Sequence, residues 1–336
     1  MENKERVLLL APSFMDLYKD IIEGLKKKNY RVDWVEDDQI PGNPIRKLDR
    51  NNKSIDDYNQ KVEEFWENYF SSSETFYYDY FLAIGGLMVH EVLFNILNKR
   101  NINVKKYLYL FDRIDGVYDV SAYLPFYSRV FSFDIYDCRR YNLKHLPIYW
   151  VQADNTTIVK YDIFGFASYS CFKPERTKIF RDIKKLSDSL KLKSYIKLFQ
   201  SDYGNRFTYC LKRILKELIG REGEMPNLND DLITTKSISP DKFREYIAMS
   251  NIILDTQASY QDGLTARFMW ALGANKRIIT TNKAVADYSF YNKDFIFILD
   301  DNYEDLANFI ITDVVVDYDT SVINYRIDNW LDTIFH

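Results

Sequence analysis

Apolar and polar residues alternate along this chain in a strand-helix-strand rhythm. Arg6 to Ala11 is a continuous apolar run, Phe14 to Lys28 repeats its apolar positions at helical spacing, and Arg31 to Val35 is apolar again. Together they predict an opening βαβ unit. Pro41 to Lys53 is polar and turn-rich, and Ile55 to Phe70 has helical spacing. Tyr80 to Ile84 predicts a strand ending in Gly85-Gly86, followed by a helix from Val89 to Asn98. Strands Tyr107 to Phe111 and Val130 to Phe133 end in Asp112 and Asp134, and polar residues at such ends line the ligand crevice of open parallel sheets.

A short strand and the polar run Gln152 to Thr157 make Leu146 to Thr157 the expected junction between two domains, 1-150 and 151-319. Beyond it the rhythm resumes. Strand Ile158 to Phe164, helix Pro174 to Leu190, strand Ser194 to Phe199, helix Asn205 to Ile219, strand Asp231 to Thr234 and helix Pro240 to Met249 are predicted in turn. An apolar strand ending in Asp255 then leads through a polar loop with Gly263 to a helix that stops at Gly273, with a further strand at Lys276 to Thr280. This arrangement aims the backbone amides of Gly263, Leu264 and Thr265 out of a helix N-terminus, where unpaired donors and the helix dipole favour a diphosphate. Arg267, one turn in, could add a full positive charge. Strand Phe295 to Leu299, helix Tyr303 to Ile311 and an amphipathic stretch from Val322 to Ile334 follow.

Composition narrows the classes. A chain of 336 residues with 46% apolar residues suits two α/β domains of about 150 residues each. A net charge of −4 argues against a nucleic-acid partner. Cys138, Cys171 and Cys210 form no C-x-x-C pair and there are three histidines, too few for a typical metal cluster, so no metal is expected. No run is long enough to span a bilayer and the N-terminal residues lack a signal-peptide core, so a cytoplasmic location is expected. The first turn, Ala11-Pro12-Ser13-Phe14, lacks the G-x-G-x-x-G fingerprint, so the first domain need not hold a dinucleotide. The 27 Tyr and 23 Phe read mostly as composition bias.

Five pieces of the chain stand in a telling order. They are Tyr77-Tyr-Asp-Tyr-Phe-Leu-Ala-Ile-Gly85, Tyr107-Leu-Tyr-Leu-Phe-Asp112, Leu124-Pro-Phe-Tyr-Ser-Arg-Val-Phe-Ser-Phe-Asp134, Tyr141-Asn-Leu-Lys-His-Leu-Pro147, and Gln261-Asp-Gly-Leu-Thr-Ala-Arg267 with Ala271-Leu-Gly273 and Ile279-Thr-Thr-Asn282. In this order they resemble a bacterial glycosyltransferase family of lipopolysaccharide or capsule biosynthesis proteins, related to the CgeB-like and group 1 transferases.

The resemblance implies an α/β, GT-B architecture: two Rossmann-like domains facing across a cleft, with the acceptor on the first and the nucleotide sugar on the second. It also implies that the C-terminal helix, 320-336, packs back on the first domain. The activity implied is sugar transfer from a nucleotide-sugar donor to a cell-surface oligosaccharide or polysaccharide, without a metal and with no cofactor beyond the donor as co-substrate. Donor-binding candidates are Gly165 and Ser168 in an expected glycine turn, Lys236 near the base, and Gln261, Gly263, Leu264, Thr265 and Arg267 at the diphosphate. Asp262 stands where the related enzymes place an acid that touches the donor sugar, although an N-cap would also explain it. Trp270 occupies the position where the family carries a ribose-binding Glu.

Asp112 is the candidate catalytic base toward the acceptor, with Asp115 and His90 as further polar residues to test. The partners expected are a nucleotide sugar and a glycan acceptor. A lipid-linked acceptor and peripheral contact with the inner face of the membrane are the sharper options, set against solvated basic helix faces at Lys26 to Lys28 and Lys184-Lys185. Two other readings stay open: a non-catalytic relative that binds a glycan or partner, and a nucleotide-sugar epimerase or hydrolase.

Overall fold

The computed structural model describes residues 4–37, 40, 52–71, 77–86, 88–114, 120–152, 158–201, 206–218, 225–257, 262–300 and 303–336. The chain divides into two compact units. One comprises Met1–Tyr149, Tyr260–Leu264 and Asn324–His336; the other comprises Trp150–Ser259 and Thr265–Ile323.

The first unit is built on a six-stranded parallel sheet, in the order β2-β1-β3-β4-β5-β6. Its strands are β1 (Arg6–Ala11), β2 (Arg31–Glu36), β3 (Tyr80–Ile84), β4 (Lys105–Leu110), β5 (Arg129–Ser132) and β6 (Lys144–His145). Val7 to Leu10 and Phe81 to Ala83 have no exposed surface. Strands covered on both faces have no reason to alternate, which is why they read as unbroken apolar runs. The helices are α1 (Leu17–Lys27), α2 (Asn52–Ser71), α3 (Glu91–Arg100) and α4 (Ile135–Tyr141). The Trp66 indole on α2 donates to the Met88 carbonyl at 3.0 Å, tying that helix to the turn before α3. His90 is the N-cap of α3, its Nδ1 accepting from the Val92 amide at 3.3 Å, so its side chain has a local structural role where a helical position was expected. Asp115 lies outside the described residues.

A last helix, α10 (Ile327–Phe335), completes this unit. Trp330 donates to the Pro147 carbonyl at 3.1 Å and sits edge-on to Tyr109 and Tyr149, at 4.8 and 5.0 Å between ring centres. Lys28, just past α1, pairs with Asp332 at 2.6 Å. A Cβ on Gly24 would come within 2.6 Å of Leu331, so this glycine lets α1 and α10 approach closely.

The second unit has its own six-stranded parallel sheet, ordered β12-β11-β10-β7-β8-β9. The strands are β7 (Tyr161–Ser168), β8 (Ser194–Phe199), β9 (Ile233–Thr234), β10 (Ser250–Asp255), β11 (Arg277–Thr280) and β12 (Ile296–Ile298). The helices are α5 (Pro174–Ser189), α6 (Arg206–Leu218), α7 (Pro240–Ala248), α8 (Ala266–Gly273) and α9 (Leu306–Ile311). From β7 the chain winds outward through β8 and β9, then returns to β10 beside β7 and winds the other way. The two carboxyl ends at this reversal, Ser168 and Asp255, flank the place where such sheets bind ligands. The aromatic excess has a structural use here: Tyr246 stacks on Phe164 at 5.3 Å and on Tyr195 at 4.9 Å.

The glycine turn expected at Phe164 to Ser168 is instead the second half of β7. Gly165 is buried in the sheet, where a Cβ would stand 3.1 Å from Leu254. Its missing side chain makes room for the Leu254 side chain on the paired strand β10, and its place in the strand is away from any exposed turn.

Candidate functional site

In the second unit the reversal between β7 and β10 is bridged by two arginines. Arg267 donates through Nε to Asp255 Oδ1 at 2.9 Å and through Nη1 to the Phe166 carbonyl at 2.5 Å. Arg176, in the first turn of α5, donates through Nη1 to the Ser168 carbonyl at 3.3 Å and through Nη2 to the Thr256 carbonyl at 3.5 Å. Each guanidinium therefore links a group on the β7 side to one on the β10 side. A rigid fork of five donors can make such a link and still present further N–H groups.

Asp255 is fully buried and its carboxylate is well supplied with donors. Thr265 Oγ1 donates to Oδ1 at 2.8 Å, alongside Arg267, and Thr280 Oγ1 donates to Oδ2 at 3.2 Å. The Arg267 side chain is itself only 13% exposed. The charge expected to face a diphosphate is thus partly committed to a buried ion pair. Thr265 has a second task as the N-cap of α8, accepting from the Phe268 amide at 3.1 Å. The cap reading of Asp262 is corrected accordingly: Thr265 holds that place, three residues later.

Gly263 and Leu264 precede the cap and are buried, so their amides lie outside the first turn of the helix. Asp262 is exposed, and its backbone N–H donates to Asp134 Oδ2 at 3.0 Å. The other oxygen of Asp134 caps α4, accepting from the amides of Tyr136 at 3.0 Å and Asp137 at 3.3 Å. A Cβ on Gly263 would stand 2.7 Å from the Phe133 carbonyl oxygen and closer still to its ring, so only glycine fits. Within the first unit, Asp112 and Asp134 each follow their strand by two residues, and those strands, β4 and β5, are paired with Leu110 opposite Ser132. The structure therefore brings Asp112 and the anchored Asp262 segment to the carboxyl rim of neighbouring strands.

Ser168 is exposed at the end of β7, and Lys236 is exposed just beyond β9, its amide donating to Thr234 Oγ1 at 3.2 Å. Gln261 lies outside the described residues. Trp270 is buried on α8, at 6.0 Å from Phe243 and under the Arg244 guanidinium at 5.3 Å. Its Nε1 has no hydrogen-bond partner among the described residues. Among those residues, no group of three or more His, Cys, Asp or Glu side chains is placed to hold a metal ion.

Sequence reasoning missed Arg176 and His145 as members of these rims, and placed Asp134 at the end of its strand without its bond to the Asp262 amide. A signal for Arg176 exists in the sequence: an arginine two residues after a helix-starting proline, directly behind the strand at the sheet reversal. His145 Nε2 lies 3.3 Å from the Phe133 carbonyl. Desolvation lowers its pKa from the ordinary imidazole range, and the Phe133 carbonyl and the Asp134 charge only partly counter this. A histidine held down in the fold takes up fewer protons than it does unfolded, so stability should fall as pH drops through about 6.5. His145→Asn should flatten that part of a stability-against-pH curve; identical slopes for the two proteins between neutral and mildly acidic pH would refute it.

No family model matches the chain, and no curated protein matches it in sequence. Several solved structures match it in fold. An α,α-trehalose-phosphate synthase (UDP-forming) from Burkholderia xenovorans, in complex with glucose-6-phosphate, superposes with a TM-score of 0.59 at 10% identity, covering 98% of both chains. The UDP-GlcNAc 2-epimerase of Methanocaldococcus jannaschii gives 0.56 at 12% identity, covering 98% of this chain and 99% of that one. The trehalose-6-phosphate phosphatase N-terminal domain of Candida albicans gives 0.55 at 14% identity, over 98% and 95%. The fold is thus the α/β, GT-B class of paired Rossmann-like units that the resemblance implied.

Proposed function

We propose that this protein is a glycosyltransferase that moves a sugar from a nucleotide-sugar donor to a cell-surface oligosaccharide or polysaccharide acceptor, of the lipopolysaccharide or capsule kind, without a metal. The observation that carries the reading is the pair of guanidinium groups, Arg176 and Arg267, bridging the reversal of the second sheet. Sugar transfer breaks the bond between the anomeric carbon and the donor phosphate, and the leaving diphosphate needs cations and amide dipoles fixed in advance. Arg176, Arg267, Ser168 and Thr265, all of the second unit, are assigned to that diphosphate. Lys236 is assigned to the base end, Asp262 to the donor sugar, and Asp112 to the acceptor, whose hydroxyl proton it would accept. The synthase named above is described as UDP-forming, and the archaeal epimerase has also been solved with UDP-GlcNAc and UDP, so nucleoside diphosphates suit this fold.

The test is a thermal-shift panel of UDP, GDP, CDP and dTDP sugars. One base series should stabilise the protein, and Arg176→Ala should weaken that ligand about 10- to 100-fold, the worth of one charge-assisted hydrogen-bonding group. Turnover should survive a chelator. No response to any sugar nucleotide would remove the donor reading, and chelator-sensitive turnover would remove the metal-free part alone.

A second reading has one observation in its favour. Trp270 fills the place of the expected ribose-binding acid with a buried indole, which suits a relative that binds a glycan or partner without catalysis. Donor binding without turnover on any acceptor would select it.

A further inference from the structure

The turn that leads from β1 into α1 holds an aromatic ring out in solvent. Phe14, just past the end of β1, is 64% exposed. Met15 and Asp16 after it both sit in the left-handed region, at φ 56° and 55°, and neither is glycine. Such backbone persists only where its surroundings fix it, and it collects at ligand sites. Here both flanks are tied. The Trp34 indole donates to the Ala11 carbonyl at 3.0 Å, the buried Tyr149 donates through its hydroxyl to the Leu17 carbonyl at 2.7 Å, and the Asp16 amide closes the turn onto the Ser13 carbonyl at 3.2 Å. An exposed apolar residue by itself needs no explanation. A ring carried on a pinned, left-handed turn does.

Its place in the sheet is the second observation. The chain goes from β1 outward to β2 and then crosses to β3 on the other side of β1, so the turn stands at the reversal point of the first sheet, where open parallel sheets bind ligands. The next strand, β3, leads into Gly85 and Gly86, at φ 82° and 72° and without side chains. The strand after it, β4, leads into Asp112. Three neighbouring strands of the first unit thus end in an aromatic ring, a stretch of bare backbone and a carboxylate. At about 4.8 Å per strand, the ends of β1 and β4 lie about 10 Å apart. Ser13, beside the ring, is exposed, and its hydroxyl caps no helix amide.

We propose that Phe14 is a stacking platform for the sugar that precedes the one being extended, and that the acceptor is therefore at least a disaccharide. The inference rests on the transferase reading and adds the length of acceptor that the first unit takes. A pyranose has an apolar face of C–H bonds and a rim of hydroxyls, so it lies on an aromatic ring and leaves its hydroxyls to polar groups such as Ser13. With the accepting hydroxyl at Asp112, one sugar does not span the distance to Phe14, whereas two linked sugars do, lying over the bare backbone of Gly85 and Gly86. A nucleotide fits less well. Between Ala11 and Tyr18 the chain has no cation for its phosphates, and Lys19 pairs with Asp16 at 3.1 Å. A single ring is also far short of the roughly 800 Å² per partner that a second copy of the chain would need.

Titration of the full chain with mono-, di- and trisaccharides of glucose, galactose and N-acetylglucosamine, followed by ligand-observed NMR with no donor present, tests the inference. One series should bind, its di- or trisaccharide about tenfold or more tighter than its monosaccharide. Phe14→Ala should weaken the longer sugar about tenfold, the worth of one stacked aromatic face. Phe14→Leu keeps apolar bulk without a flat ring and should lose as much, while Phe14→Trp should keep the affinity. Because the side chain is exposed, all four proteins should melt at nearly the same temperature and respond equally to a sugar nucleotide. A chain that responds to no sugar nucleotide yet binds sugar through Phe14 loses the transferase reading and keeps this site, so the two fail separately. No binding by any series, equal affinity for one sugar and two, or parent-like affinity in Phe14→Ala or Phe14→Leu would overturn the inference. So would a concentration-dependent dimer abolished by Phe14→Ala.

Discussion

Arg267→Ala should destabilise the second unit by about 3–5 kcal/mol, the usual effect of stranding one partner of a buried ion pair. Asp255 has no exposed surface, and the two threonine hydroxyls that remain beside it can donate hydrogen bonds but cannot neutralise its charge. For a unit of this size the melting temperature should fall by about 10 °C. Arg267→Lys should recover part of the loss, because an ammonium keeps the charge but cannot bridge Asp255 and the Phe166 carbonyl in the same geometry. Removing both partners, as in Asp255→Leu/Arg267→Leu, should cost less than the single change. A melting temperature for Arg267→Ala within a degree or two of the parent would show that the ion pair does not hold this part of the fold. The consequence for function is direct: lost nucleotide affinity in Arg267→Ala would mix folding with binding, so Arg176→Ala is the cleaner probe of the diphosphate.

Trp330→Ala should destabilise the first unit by about 3–5 kcal/mol through the cavity left by a large, fully buried side chain. The loss also orphans the Pro147 carbonyl and the edges of Tyr109 and Tyr149. Trp330→Phe should cost less, since it refills most of the volume and gives up the N–H. Lys28→Ala is the contrast: its ion pair with Asp332 is part-exposed, and such pairs contribute about 1 kcal/mol or less. Chemical denaturation of the three variants decides the matter. Equal midpoints for Trp330→Ala and Lys28→Ala would contradict the anchoring role given to the indole.

Parallel strands buried on both faces are legible in the sequence, because Val7 to Leu10, Phe81 to Ala83 and Ile252 to Leu254 are unbroken apolar runs with no competing helical period. The end of β7 is not. Gly165 suggests a turn, but a glycine in a strand also makes room for a neighbour, and only the position of Leu254 tells these apart. Asp255, Thr265 and Arg267 read locally as strand end, loop and helix start. Their shared hydrogen-bond network depends on side-chain direction across twelve residues, which no local pattern encodes. Asp134 reads as a strand-end acid, and its bond to the Asp262 amide crosses a separation of 128 residues.

The return of α10 to the first unit reorders the life of the chain on the ribosome. Lys28 and Asp332 are 304 residues apart in sequence. The first unit begins to be made first, yet its Tyr109 and Tyr149 stay uncovered until residue 330 emerges, after the whole second sheet has been synthesised. A nascent or truncated chain should therefore offer chaperones a persistent aromatic surface on its oldest part, and a fragment ending at residue 149 should aggregate more readily than the 336-residue chain.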